Sequence, residues 1–152
     1  MDWIIDRASA DDLEAIRSLL RTSGLSDDRV TAPRFFVARQ QGRTIGCVGM
    51  ETSGVTAILR SLAVDHAHRQ GGVGTALVGA VRERASREGC GHVVALTVDA
   101  GLFFTRLGFR AVPRQTLDGQ TLSHWQFHSG VCDSAACLAL PLVPAPDTTS
   151  IH

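Results

Sequence analysis

The sequence contains no lysine, no tyrosine and no asparagine. Without lysine, all 15 cationic side chains are arginines, and catalysis through a lysine Schiff base is excluded. Without tyrosine, no phenol is available as a proton donor. Neither sign of charge is in excess, because 15 carboxylates balance the arginines. A basic face for nucleic acid or anionic lipid is therefore not expected, and neither is a membrane partner. No apolar run approaches the roughly 18 residues of a membrane span. The opening residues Asp2 and Trp3 have neither the basic nor the apolar region of a secretory signal, so the expected compartment is cytoplasmic. Cysteine is scarce and scattered, at Cys47, Cys90, Cys132 and Cys137, with no CxxC pair. That pattern suits small buried hydrophobes better than disulfides or structural zinc, and no metal is expected.

What is present is an ordinary globular composition, 44% apolar and 20% charged over 152 residues, which fits one domain over residues 1–143. Residues 144–152, with two prolines and small polar side chains, read as a flexible tail. Trp3-Ile4-Ile5 reads as a first strand. Ser9 caps a helix with Asp12 as its capping-box partner; Leu13, Ile16, Leu19 and Leu20 form the apolar face, and Gly24 ends it. Phe35 to Ala38, Thr44 to Glu51 and Ala57 to Val64 read as an antiparallel meander turned at Gln41-Gly42 and Ser53-Gly54. A long helix follows from about Gly72 to Glu88, with Ala76, Leu77, Ala80, Val81 and Ala85 inward and its charged run outward. Gly89 and Gly91 close it. Val93 to Val98 is a continuously apolar strand, Asp99 to Leu107 a short helix, Phe109 to Val112 a strand, and Leu122 to Val131 the last strand. The apolar stretch Ala135 to Val143 offers itself for pairing across a dimer; monomer and homodimer both stay open. The order β-α-βββ-α-β-α-ββ predicts an α/β fold with a mixed, mostly antiparallel sheet flanked by helices.

The segment Arg69-Gln70-Gly71-Gly72-Val73-Gly74-Thr75-Ala76-Leu77 joins the fourth strand to the long helix. Three glycines in four residues let a ligand approach the backbone, and the first-turn amides of the helix face an anion. The physical reading is a pyrophosphate cradle. A Walker loop needs a lysine, which the chain lacks; a dinucleotide fingerprint needs a third glycine where Leu77 stands and a parallel βαβ unit before it.

Arg69-x-x-Gly72-x-Gly74 resembles the Gln/Arg-x-x-Gly-x-Gly/Ala signature of the GNAT superfamily of acyl-CoA-dependent N-acetyltransferases. The approach from Leu59 through Val64 and Asp65 to His68 resembles that family's strand and loop, and Phe103-Phe104-x-x-Leu107-Gly108-Phe109 resembles its Phe-Tyr-x-x-Leu-Gly-Phe segment. The resemblance runs from about Phe35 to Val112. The tail (Trp125-x-Phe127, then Cys132-Asp133-Ser134-Ala135) is partly similar to N-acetyltransferase-like proteins associated with arsenic resistance.

The resemblance implies a sheet split by an acyl-CoA wedge between strands four and five, with acetyl-CoA as cosubstrate. Amides of Gln70, Gly71, Gly72, Val73, Gly74 and Thr75 would hold the pyrophosphate, with Arg69 either on phosphate or packed on the helix. The backbone of Leu62, Ala63 and Val64 would pair with the pantetheine arm, the Leu62 N–H would face the thioester oxygen, and Phe103 and Phe104 would wall the tunnel. Direct attack on the thioester needs a neutral amine and hence a base. Many relatives carry their base as a glutamate where Ile58 stands here; Glu51 is the candidate in its place, with His124 and His128 as rivals because an imidazole suits the task at neutral pH. The family's tyrosine acid aligns with Phe104; water, Ser61 or a cysteine are the substitutes. A thiolate is a tolerable leaving group near neutral pH, so an active but slow enzyme is expected. Arg60, on the same face as Leu62 and Val64, is a candidate for a substrate carboxylate, and His124 for a substrate contact. The expected reaction is acetylation of a small-molecule amine, an amino acid or its toxic analogue. The alternatives are a non-catalytic acyl-CoA-binding or regulatory domain, and a metalloid-binding protein using Cys132 and Cys137.

Overall fold

The computed structural model describes residues 2–97, 100–113 and 136–142. The chain order is β1 (Trp3–Arg7), α1 (Leu13–Thr22), β2 (Phe35–Gln40), β3 (Arg43–Ser53), β4 (Thr56–Val64), α2 (Val73–Arg87), β5 (His92–Thr97), α3 (Gly101–Arg106), β6 (Arg110–Ala111) and β7 (Ala136–Pro141). Among the described residues seven strands follow the order β1-β2-β3-β4-β5-β7-β6. Two compact units divide the chain: residues up to Glu51 with Leu59–Glu83, and Thr52–Ile58 with the residues from Arg84 onward. Among the described residues no helix is long and apolar enough to cross a membrane.

In the first unit, Ser9 and Asp12 form the expected capping box: the Ser9 amide and hydroxyl donate to Asp12 Oδ2 at 2.7 and 3.0 Å. A 3-10 turn, Ala10–Asp12, precedes α1. At the other end Leu25 N–H reaches Leu20 O at 2.8 Å and Gly24 N–H reaches Arg21 O at 3.1 Å, the paired bonds of a Schellman stop. Gly24 takes the required positive φ of 73°. Ile16 and Leu20 are fully buried, with Leu13 and Leu19 beside them, against Val30, Phe35, Val37, Cys47 and Ala63. Each such aliphatic side chain contributes about 1.5–3 kcal/mol when removed from water. The hairpin β2–β3 turns at Gln41 (φ 51°) and Gly42 (φ 78°), both left-handed as a two-residue turn demands.

Helix α2 buries Val73, Leu77, Val78, Val81 and Ala85, a stripe at three- and four-residue spacing. The expected inward positions Ala76 and Ala80 lie on its flank, half-buried; the bulkier valines take the centre because they remove more apolar area from water. Gly46 on β3 sets how close the helix comes. A Cβ built there would stand 3.1 Å from both Leu77 Cδ1 and Val73 Cγ1.

In the second unit the turn into β4 falls on Gly54-Val55, with Gly54 at φ 59°, one residue later than expected. The positive φ belongs to the glycine, so Ser53 completes β3. Strands β4 and β5 start together: Gly91 N–H donates to Val55 O at 2.7 Å, Thr56 Oγ1 lies 2.9 Å from His92 Nε2, and Ile58 packs with Val94. Partners advancing in step define a parallel pair. Strand β7 then pairs antiparallel with β5, from His92↔Pro141 to Thr97↔Ala136, and with β6 at Arg110↔Ala139 and Ala111↔Leu138. This corrects the expectation for the apolar stretch from Ala135. It is an internal strand with a neighbour on each edge, not a spare edge for a second copy. The strand expected over Leu122 to Val131 lies outside the described residues, as does the tail from Pro144.

Candidate functional site

The segment from Leu62 to Thr75 belongs to the first unit. Strand β4 bends just before it. Ser61 has φ 57°, a left-handed backbone rare for a side chain with a Cβ, within a strand that otherwise runs on to Val64. Such a residue persists only where its neighbours fix it. Cys47 of β3 does part of this, donating from Sγ to Ser61 O at 3.5 Å. Burial pushes the Cys47 thiol up to about 12, so it acts as a neutral donor. Beyond the bend Leu62 and Val64 are half-buried while Ala63 points into the core.

The loop after β4 is tied at several points. Asp65 N–H donates to Ile45 O at 2.7 Å. The His68 ring bridges Asp65 Oδ2 and Gln40 Oε1, each at 2.9 Å, and Arg43 stands 3.8 Å from the same Asp65 oxygen. Arg69 Nε donates to Val64 O at 3.2 Å. Gly71 N–H returns to His68 O at 3.3 Å. Gly72 then turns the chain at φ 83°, with nothing within 4 Å of a Cβ built on it. Its carbonyl accepts from Ala76 N–H at 3.0 Å, which makes Gly72 the N-cap of α2. The amides of Val73, Gly74 and Thr75 therefore have no carbonyl in the helix to bond. Gln70, Gly71 and Gly72 are exposed. First-turn amides, the positive end of a 15-residue helix and an open glycine make a donor set that fits a diphosphate.

Glu51 and Arg60 are brought together. Arg60 is 7% exposed, and its Nη1 donates to Glu51 Oε2 at 3.1 Å and to Arg29 O at 2.9 Å, while Nη2 donates to Asp28 O at 2.6 Å. The guanidinium also lies 5.5 Å from the centre of the Phe35 ring. Gly49 makes room for this stack: a Cβ there would stand 3.0 Å from Phe35 and 3.1 Å from the Arg60 stem. Burial pushes the Arg60 guanidinium below its ordinary range, opposed by the Glu51 charge and hydrogen bond. The fork expected to receive a substrate carboxylate is thus met by the chain's own groups. No residue pattern announces this, because two of the three acceptors are main-chain carbonyls.

Phe103 and Phe104 sit on α3 in the second unit. Phe104 is 4% exposed and meets Phe103 and Phe109 edge-on, with centroids 5.2 and 5.1 Å apart. His124, His128 and Cys132 lie outside the described residues. Cys137 is buried on β7 with Ile58 and Val94. Among the described residues no group of three His, Cys, Asp or Glu is placed to hold a metal ion. The residues that sequence reasoning passed over are Cys47, whose reach to Ser61 depends on the β3–β4 pairing, and Gln40, whose part depends on where the His68 ring points.

The family model of the acetyltransferase (GNAT) domain matches residues 31–111, and the chain belongs to that family. An uncharacterized N-acetyltransferase of Chlorobaculum tepidum is 38% identical over 82 residues, which is 53% of this chain and 52% of that protein. The match thus spans about half the length of this curated relative. N-acetylglutamate synthase of Neisseria gonorrhoeae, solved with coenzyme A and N-acetyl-glutamate, has a TM-score of 0.81 at 20% identity, covering 93% of this chain and 35% of that one. A Mycobacterium tuberculosis protein solved with CoA has a TM-score of 0.78 at 22% identity, covering 92% and 99%. The ribosomal-protein-S18-alanine N-acetyltransferase of Escherichia coli has a TM-score of 0.66 at 17% identity, covering 96% and 97%. Those names span a free amino-acid product and a ribosomal-protein alanine, so the shared fold does not choose an acceptor.

Proposed function

We propose that this chain transfers an acetyl group from acetyl-CoA to the amine of a small molecule, an amino acid or a toxic analogue of one, by direct attack in a ternary complex. The observation that carries the reading is the start of α2, opened by the exposed Gly72 at φ 83° on the loop that follows β4. The amides of Gln70 and of Gly72 to Thr75 hold the diphosphate, on a loop that the Gly71 N–H closes against His68 O, and the half-buried backbone after Ser61 takes the pantetheine arm like an added strand. Acetyl-CoA supplies the activated acetyl thioester.

The Leu62 N–H, fixed by the bend before it, stabilises charge that develops on the thioester oxygen. Glu51 takes the amine proton, directly or through water, and His124 is the alternative base. Arg69 serves the cradle by holding the loop to Val64 rather than by touching phosphate. A neutral thiol ordinarily ionises near 8.5, so the CoA thiolate departs without a phenol, though more slowly; general acids commonly contribute ~10²–10⁴-fold.

A second reading, a non-catalytic acyl-CoA-binding domain, draws support from two observations: Phe104 is a buried ring where the family has tyrosine, and Glu51 is engaged by Arg60. The metalloid reading finds no comparable support in the burial of Cys137. The test is to quantify free CoA by chromatography after incubating protein and acetyl-CoA with a panel of amino acids, polyamines and peptides. Amine-dependent release establishes the transferase and names its acceptor class. Tight binding of intact acetyl-CoA with no release across the panel favours the second reading.

A further inference from the structure

The buried guanidinium of Arg60 joins pieces of chain that are far apart in sequence. It holds Glu51 of β3, the carbonyls of Asp28 and Arg29 in the segment between α1 and β2, and the face of Phe35 at the start of β2. It does so from the residue that immediately precedes the Ser61 bend. Burying a charge is costly, and well-packed apolar residues of similar volume are often no less stable. A guanidinium retained in such a place needs a reason in geometry. Arg is the one side chain whose rigid fork can span two successive carbonyls and a carboxylate at once.

The segment it holds is unusual in the same way as the strand it holds it to. Arg29 has φ 58° and Ser61 has φ 57°, two left-handed non-glycine residues on either side of one guanidinium. The Arg29 carbonyl is itself one of the acceptors. The next residue, Val30, is 5% exposed and seated in the core with Ile16, Leu20 and Phe35. The segment is therefore anchored by an apolar plug and by Arg60, and Arg21 Nη1 of α1 adds a bond to Asp27 Oδ2 at 3.0 Å. Of these ties, Arg60 fastens the Asp28 and Arg29 backbone to β4.

We propose that Arg60 is a positioning residue, which fastens the Asp28–Arg29 backbone to β4 beside the Leu62 amide and so shapes the acceptor side of the site without touching the substrate. The acceptor part rests on the transferase reading; the fastening does not.

The experiment compares the full-length protein with Arg60→Lys, which keeps the charge but cannot span both carbonyls. Three quantities are measured: amide hydrogen exchange over Ser26 to Val30, acetyl-CoA affinity by calorimetry, and acceptor KM against kcat. The expected result is exchange at least about tenfold faster in that segment, acetyl-CoA affinity within about threefold of the parent, and an acceptor KM raised about tenfold with kcat changed much less. Unchanged exchange overturns the fastening. A loss of acetyl-CoA affinity equal to the rise in KM overturns the acceptor role, since it marks a general disturbance. If the parent protein releases no CoA with any acceptor, the transferase reading and the acceptor role fall together, while the exchange result still decides the fastening. Should Arg60→Lys not fold, the double variant Arg60→Met, Glu51→Leu removes the ion pair without stranding a charge. Its exchange over Ser26 to Val30 then decides the fastening by the same criterion.

Discussion

Gly46 of β3 lies directly beneath Val73, the first residue of α2, so closely that a single methyl group would stand 3.1 Å from the valine's Cγ1. The position of the helix start, and with it the amides of Val73, Gly74 and Thr75, depends on that missing side chain. Gly46→Ala is expected to cost about 1–3 kcal/mol through overpacking. It should also weaken CoA binding by about tenfold as the first turn is pushed from the sheet. Calorimetric titration with CoA beside a thermal melt checks both. A variant that loses stability but binds CoA as before would separate the helix seat from the cradle.

Phe104→Tyr is expected to raise turnover, because it restores a phenol at the position that aligns with the family's acid. The gain should appear in kcat and not in acetyl-CoA affinity. Its cost is a hydroxyl placed among Phe103 and Phe109, about 1–3 kcal/mol if it finds no partner, visible as a lower Tm. Steady-state CoA release at saturating acceptor gives the answer; unchanged kcat with a lower Tm would mean the ring is structural only.

Asp12 carries a pH dependence. Burial by itself would raise its pKa, but the Ser9 amide, Arg39 and the Ser9 hydroxyl outweigh it and hold the carboxyl below its ordinary value of 3.8. A group depressed in the folded state stabilises fully above its unfolded pKa, and that stability is lost as pH falls through the folded pKa. Asp12→Asn should therefore destabilise by about 1–2 kcal/mol at neutral pH, as lost N-terminal caps do. The gap between parent and variant should narrow as pH falls below 3.8 and through the lower folded value, where the parent's carboxyl becomes protonated too. Urea unfolding at pH 7 and at a series of lower pH values measures the difference.

Cys47 should resist alkylation. Its thiol is pushed up to about 12 by burial and is held against Ser61 O, so at pH 8 the thiolate fraction is about one in ten thousand. Mass spectrometry after iodoacetamide treatment of the folded protein is expected to find Cys47 unmodified, and modified once urea is added. Rapid labelling under native conditions would show that the Ser61 bend opens readily.

Much of this architecture is written locally. The capping box of Ser9 and Asp12, the Schellman stop at Gly24 and the turn at Gln41-Gly42 depend on residues within a few positions of one another, so side-chain chemistry alone suffices to place them. The cradle is legible for the same reason, since Gly72 and the first turn of α2 form one continuous segment. Arg60 reads differently from the sequence because two of its three acceptors are carbonyls 31 and 32 residues away, and every residue possesses a carbonyl. The bend at Ser61 has no sequence mark at all, since serine rarely adopts a positive φ. Strand β7 could be recognised as apolar, but only long-range pairing decides that it enters between β5 and β6.

That insertion orders events during biosynthesis. β5 ends at Thr97 and β6 at Ala111, yet the strand that joins them begins at Ala136. On the ribosome, the edge of β5 that β7 will cover waits while those intervening residues are made, and β6 waits for the same partner. Contacts of such wide sequence separation form late and slowly, and a bare apolar edge is a site for association with other chains. A chain that stops upstream of Ala136 leaves β5 without its β7 partner, and an uncovered strand edge is a template for pairing with another chain.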